Sequence, residues 1–147
     1  MNERYRHGAH TVFEIHLHLV WVTKYRRAVL AGEVGPRLRE LIRQICAQED
    51  VVILQGHVAK DHVHLFVSIP PQVAISRLVQ RLKGKSAYKL LLEYPQLRKK
   101  FWGQHLWARG YFCRSSGNVT DEDIQRYIAD QKATTDTDFR VEGEESV

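Results

Sequence analysis

Two short patterns place ligand-type and nucleophile-type side chains at spacings that chemistry can use. His62-Val63-His64 puts two imidazoles at i and i+2, and in an extended strand such residues project from one face. Neutral imidazole is a good ligand for divalent metals, so the pair can grip one ion from one side. The spacing alone is weak, because His16-Leu17-His18 repeats it. For that second pair a structural or dimer-contact role is the simpler reading. Asp61 sets the first pair apart, since a carboxylate there can orient an imidazole from behind. The other pattern is Tyr127 with Gln131, which at i and i+4 share a helical face. A tyrosine on an amphipathic helix usually belongs to a core. Here Asp123 at i−4 and Gln131 at i+4 make the setting polar. A glutamine carbonyl can complete a hard metal site, and a phenol beside such a metal can act as a nucleophile.

These residues need elements to hold them. From His10 to Thr23 apolar and polar residues alternate, with Phe13, Ile15, Leu17, Leu19 and Trp21 on one side, which predicts a half-buried strand. Leu38, Leu41, Ile42 and Ile45 form the apolar stripe of a helix from about Glu33 to Gln48, with Pro36 in its first turn. Val51–Val58 and His62–Ile69 are rich in β-branched residues and are joined by a turn at Lys60-Asp61, so they read as a hairpin that Pro70-Pro71 ends. A second helix is expected from about Val73 to Leu92, with Ile75, Leu78, Val79 and Leu82 inward and Gly84 at its middle, marking either a close approach or a kink. Leu106 to Arg114 reads as a fourth strand. Beyond a Gly117-Asn118 loop, Thr120 is a good N-cap for a last helix to about Ala133, with Asp121, Glu122 and Asp123 in its first turn. The order β-α-β-β-α-β plus a helix predicts an α+β chain of the ferredoxin-like, split βαβ kind. Its antiparallel sheet would carry two helices on one face, and the C-terminal helix would bring the tyrosine.

Charge points to a polyanionic partner. The net charge is +5, yet the segment from Thr135 to Val147 holds five acids and one base, which leaves 21 bases against 12 acids before it. A basic body attracts nucleic acid. Residues 1–134 are therefore expected to form the domain and 135–147 an acidic, flexible tail. Cys46 and Cys113 have no CxxC context and read as free thiols in a reducing compartment. No apolar run approaches the ~20 residues of a membrane span, and Met1 to His7 has no signal-peptide core. A cytoplasmic protein is expected, without membrane partners.

The run His62-Val-His-Leu-Phe-Val-Ser-Ile-Pro-Pro resembles the His-hydrophobic-His motif of HUH endonucleases. His18-Leu-Val-Trp-Val-Thr-Lys-Tyr-Arg-Arg resembles the opening strand of the single-tyrosine transposases of the insertion-sequence 200/605 type. Leu82-Lys-Gly-Lys-Ser and Leu106-Trp-Ala-Arg-Gly-Tyr-Phe are similar to further parts of that family, and Gly117-Asn-Val-Thr followed by Ile124-Gln-Arg-Tyr-Ile-Ala-Asp-Gln matches its catalytic helix. The resemblance spans about His7 to Ala133. It implies that His62, His64 and Gln131 hold Mg²⁺ or Mn²⁺, and that Tyr127 attacks single-stranded DNA to form a 5′-phosphotyrosine. It also implies a homodimer whose active sites are shared between subunits, and recognition of DNA hairpins near the ends of a mobile element. Arg26, Arg27, Arg77, Arg81, Lys83 and Lys85 are the basic residues expected on phosphates. Trp21, Tyr25, Trp102 and Trp107 could stack on unpaired bases or pack in the core. Two other readings stand beside this one: an HUH nicking enzyme for replication initiation, and a nucleic-acid binder without catalysis, for which Tyr127 would be dispensable.

Overall fold

The computed structural model of the protein describes residues 6–7, 12–13, 15–101, 105–115 and 139–143. The alternating run near the N-terminus divides into two parts. Arg6–His7 (β1) and Val12–Phe13 (β2) pair with each other, and His16–Val22 (β3) enters the main sheet. Val34–Gln48 (α1) follows, then Val52–Val58 (β4) and His62–Ser68 (β5) as the expected antiparallel hairpin. Ile75–Glu93 (α2) is continuous through Gly84, and a short helix, Pro95–Lys99 (α3), starts on its proline. Phe112–Ser115 (β6) and Phe139–Val141 (β7) complete a five-stranded sheet of order β6-β3-β5-β4-β7.

The three pairings among β6, β3, β5 and β4 are those of the ferredoxin-like order, with β3 flanked by β5 and β6, all antiparallel. Leu17, Leu19 and Trp21 of β3 and Val63, Leu65 and Val67 of β5 face Leu38, Leu41, Ile42 and Ile45 of α1 and Leu78, Val79 and Leu82 of α2 in one buried cluster. Both helices therefore cover one face, as the apolar periodicity demands. The opposite face carries the histidines.

Three further features depart from the sequence expectation. The fourth strand is interrupted: Thr23 bridges Trp107, and pairing resumes only at Val20 with Phe112. Three steps along β3 are thus matched by five along the opposing segment, and the surplus leaves the sheet around Gly110, whose φ of +80° suits glycine. Lys83 of α2 holds the excursion by donating to the carbonyl oxygens of Ala108 (2.8 Å) and Gly110 (2.7 Å). The second feature is a bulge in β4, where Ile53 opposes Val67 but Gln55 opposes Phe66, so Leu54 is the extra residue.

The third departure is β7, which lies inside the segment expected to be a flexible tail. Phe139 and Val141 are buried, and the strand runs parallel to β4 in the register Gly56↔Phe139, His57↔Arg140. Acid-rich composition hid a three-residue apolar-basic-apolar strand, which finds its seat on β4 and against Gly35 of α1. Among the described residues no helix is long and apolar enough to cross a membrane.

Candidate metal centre on the histidine face of the sheet

Strand parity collects the imidazoles. His62 and His64 stand on the face of β5 away from the helices, with ring centroids 4.8 Å apart. His18 approaches His64 from β3 at 5.4 Å. His57 of β4 lies opposite His64 in the ladder, with centroids at 6.4 Å from His64 and 6.3 Å from His62. The bulge at Leu54 is what turns His57 to this face, because unbroken alternation from Ile53 would have aimed it at the helices. His16, further along β3, packs edge-on against the fully buried Phe66. Sequence reasoning missed His57, and it set His18 apart from a site that His18 in fact adjoins. Only the bulge position would have revealed the first.

The two expected ligands differ in setting. Asp61 Oδ1 lies 2.6 Å from His62 Nδ1, and an ionised carboxylate can only accept, so Nδ1 is the donor and Nε2 is the nitrogen left for a metal ion. Burial would push the Asp61 carboxyl up, but hydrogen bonds from His62 and Arg26 outweigh this and hold it below the usual carboxylate range. His64 has no such anion. Burial, followed by the neighbouring His62, His18 and His57, depresses its pKa to about 4, so it is a neutral imidazole near neutral pH. Burial and then Arg114 lower His18 as well. Two imidazoles on one strand, one of them tied through Nδ1 to a carboxylate, suit a divalent ion. Among the described residues no three His, Cys, Asp or Glu side chains converge to hold a metal, so this donor pair needs a ligand of another kind or from elsewhere. Tyr127 and Gln131, with the helix expected to carry them, lie outside the described residues, as does Trp102.

Most of the expected phosphate contacts are occupied by the protein itself. Arg26 donates through Nε and Nη2 to Asp61 Oδ2 at 3.2 and 3.1 Å. Arg27 donates to the Lys100 carbonyl oxygen at 2.8 Å and lies over the rings of Tyr25 and Phe101. Arg81 is paired with Glu49 and bonds Gln48, so of Arg77, Arg81 and Lys85, which recur every four residues along α2, the middle one is engaged within the protein. Lys83 is spent on the Gly110 excursion, and burial lowers its pKa. Arg77 and Lys85 are exposed and make no ion pair among the described residues. Of the aromatics, Trp21 and Trp107 are buried and meet edge-to-face at 6.0 Å, with Trp107 Nε1 donating to the buried Ser86 Oγ at 3.0 Å. They are core residues. Tyr25 is 74% exposed. A cleft of about 420 Å³ opens between α2 and the Gly110 excursion, walled by Gln80, Lys83 and Tyr111. Gly84 lines it as well, and a Cβ there would meet nothing within 4 Å.

Comparison with known proteins identifies the family. Residues 11–131 match the family model described as IS200-like transposase. The chain is 41% identical over 124 residues to the ISDra2 transposase TnpA of Deinococcus radiodurans, covering 84% of this chain and 89% of that one. It is 34% identical over 123 residues to the transposase for insertion sequence element IS200 of Salmonella typhimurium, covering 84% and 80%. Its fold matches the crystal structure of a candidate transposase from Deinococcus radiodurans R1 with a TM-score of 0.72 and 35% identity, over 88% of this chain and 99% of that one. A REP-associated tyrosine transposase bound to a REP hairpin shares the fold at a TM-score of 0.58 and 12% identity, over 84% of this chain and 67% of that one. With the matched span running from before the first strand of the main sheet to Gln131, this chain belongs to the IS200-like transposase family.

Proposed function

We propose that this transposase cuts and rejoins single-stranded DNA at the ends of an insertion sequence, with Tyr127 as nucleophile. The observation that carries the reading is the paired imidazoles of His62 and His64, half-buried on one strand face, with His62 Nδ1 tied to Asp61. His62, His64 and Gln131 would hold Mg²⁺ or Mn²⁺, and the bound ion would supply charge withdrawal at the scissile phosphate. The phenolic oxygen of Tyr127 attacks phosphorus as the bond to the 3′-oxygen breaks. The phenol loses its proton and the 3′-oxygen gains one, leaving a 5′-phosphotyrosine and a free 3′-OH. One phosphodiester replaces another, so a second cleaved strand's 3′-OH can reverse the step and reseal. Recognition of hairpin ends is supported by the fold neighbour that is itself bound to a REP hairpin.

Labelled single-stranded DNA from an element's own ends, incubated with Mg²⁺, tests the chemistry. The wild type forms a covalent protein–DNA adduct that requires metal, and Tyr127→Phe forms none. Binding of the hairpin without an adduct under every metal tried would leave a nucleic-acid binder instead. The shared-site dimer has its own test. Mixed dimers of Tyr127→Phe with His64→Ala regain one intact site if the tyrosine serves the partner subunit, and so restore about a quarter to a half of wild-type adduct. If each subunit is self-sufficient, the mixture stays dead.

A further inference from the structure

We propose that the turn from Thr23 to Arg27 is a positioning device for the metal-facing nitrogen of His62, acting through Asp61. The inference rests on reading His62 as a metal ligand and reassigns Arg26 from DNA contact to positioning residue. Tyr25 (φ 61°) and Arg26 (φ 52°) are consecutive non-glycine residues in the left-handed region, a conformation that persists only where surroundings impose it. Hydrogen bonds to and across the turn impose it. Thr23 N donates to the Asp61 carbonyl oxygen at 2.9 Å, and Leu30 N donates to the Lys60 carbonyl oxygen at 2.9 Å. Thr23 Oγ1 donates to the Arg27 carbonyl oxygen at 2.8 Å, closing the turn on itself. Stapled in this way to the β4–β5 turn, the backbone delivers the Arg26 guanidinium to Asp61 Oδ2 with both Nε (3.2 Å) and Nη2 (3.1 Å).

Both oxygens of Asp61 are therefore committed, Oδ2 outward to Arg26 and Oδ1 inward to His62 Nδ1 at 2.6 Å. A carboxylate held at one end by a planar fork cannot rotate away from the other. The result is one tautomer and one ring plane for His62, with Nε2 presented on the histidine face. Neighbouring Arg27 is turned instead to the Lys100 carbonyl oxygen, so the two adjacent arginines serve different ends. The Arg26 side chain is 66% exposed, which allows its replacement without opening the core.

The test uses the full-length, DNA-free protein and Mn²⁺ as probe, titrated by electron paramagnetic resonance. Arg26→Gln is expected to weaken Mn²⁺ binding several-fold and Asp61→Asn about 10- to 100-fold. The double variant should bind no more weakly than Asp61→Asn alone, because Arg26 acts through Asp61. In metal-free protein, the ¹⁵N-resolved Nδ1–H tautomer of His62 should be lost in Asp61→Asn and shifted toward a tautomer mixture in Arg26→Gln. Arg26→Lys, which keeps the charge and loses the fork, should follow Arg26→Gln. Wild-type Mn²⁺ affinity and an unaltered His62 tautomer in Arg26→Gln, with loss only of salt-sensitive DNA binding, would overturn the proposal. Unchanged Mn²⁺ binding in His62→Ala would sink the ligand reading itself, a separate failure that takes the proposal with it.

Discussion

Lys83 and Lys85 are two residues apart on α2, yet the fold gives them opposite roles. Lys83 turns inward to two carbonyl oxygens, while Lys85 and Arg77 face solvent. Each phosphate contact removed lowers the slope of log affinity against log salt by roughly 0.7 for a single strand. Arg77→Ala and Lys85→Ala should each flatten that slope by about this amount in fluorescence anisotropy on single-stranded DNA. Lys83→Met should leave the slope unchanged and instead lower the melting temperature, since two carbonyl oxygens lose a charged donor. Equal flattening by all three would show that Lys83 leaves the Gly110 excursion when DNA arrives. At this scale the sequence was legible where spacing alone decides a face, as for His62 and His64. It was not legible where a basic side chain had to choose between solvent, a carboxylate such as Glu49, and a carbonyl oxygen, because the competing partners come from distant segments.

Elements repeated the same division. Helices α1 and α2 and the β4–β5 hairpin followed from period and turn chemistry, to within two residues at their ends, whereas the short α3 was not anticipated. The Leu54 bulge and the break at Gly110 did not, because an inserted residue leaves local composition unchanged while it inverts parity beyond it. Between elements, Arg37 of α1 clasps Glu93 at the end of α2 through two 2.8 Å hydrogen bonds, and it also bonds Glu40. The hydrogen bond from Arg37 holds the Glu93 carboxyl below its ordinary range. A depressed folded-state pKa contributes stability above the unfolded value and loses it as pH falls through the folded one. Glu93→Gln should therefore destabilise by no more than about 1 kcal/mol at pH 7, the scale of an exposed pair. In urea melts the gap to wild type should close as the medium is acidified below the ordinary carboxylate range. A gap that persists undiminished at pH 2 would assign the loss to packing rather than charge.

For the whole molecule, the segment after Thr135 decides whether the sheet has four strands or five. Hairpin pairing and helix cover account for β3 to β6, but the β4 edge would be open without β7, and open edges invite pairing with other chains. The seat is shaped for its occupant. Gly56 lies directly against Phe139, and a Cβ on Gly56 would come within 2.7 Å of that ring. Phe139 is wholly buried in the main core, and Arg43 of α1 lies over its ring at 5.8 Å. Phe139→Ala should therefore cost about 3–5 kcal/mol, as for buried aromatics elsewhere, whereas a residue of a mobile tail would cost within about 0.5 kcal/mol. Gly56→Ala should also destabilise, because backbone pairing of β4 with β7 limits how far the ring can yield. The two changes act on one contact, so they should not add. In the background of Phe139→Ala the clash is gone, and Gly56→Ala should then be close to neutral. Denaturant melts of the four proteins in this cycle give the coupling directly. Strict additivity would mean that β7 leaves its seat in solution, and that the β4 edge, with His57 upon it, is free to meet another chain.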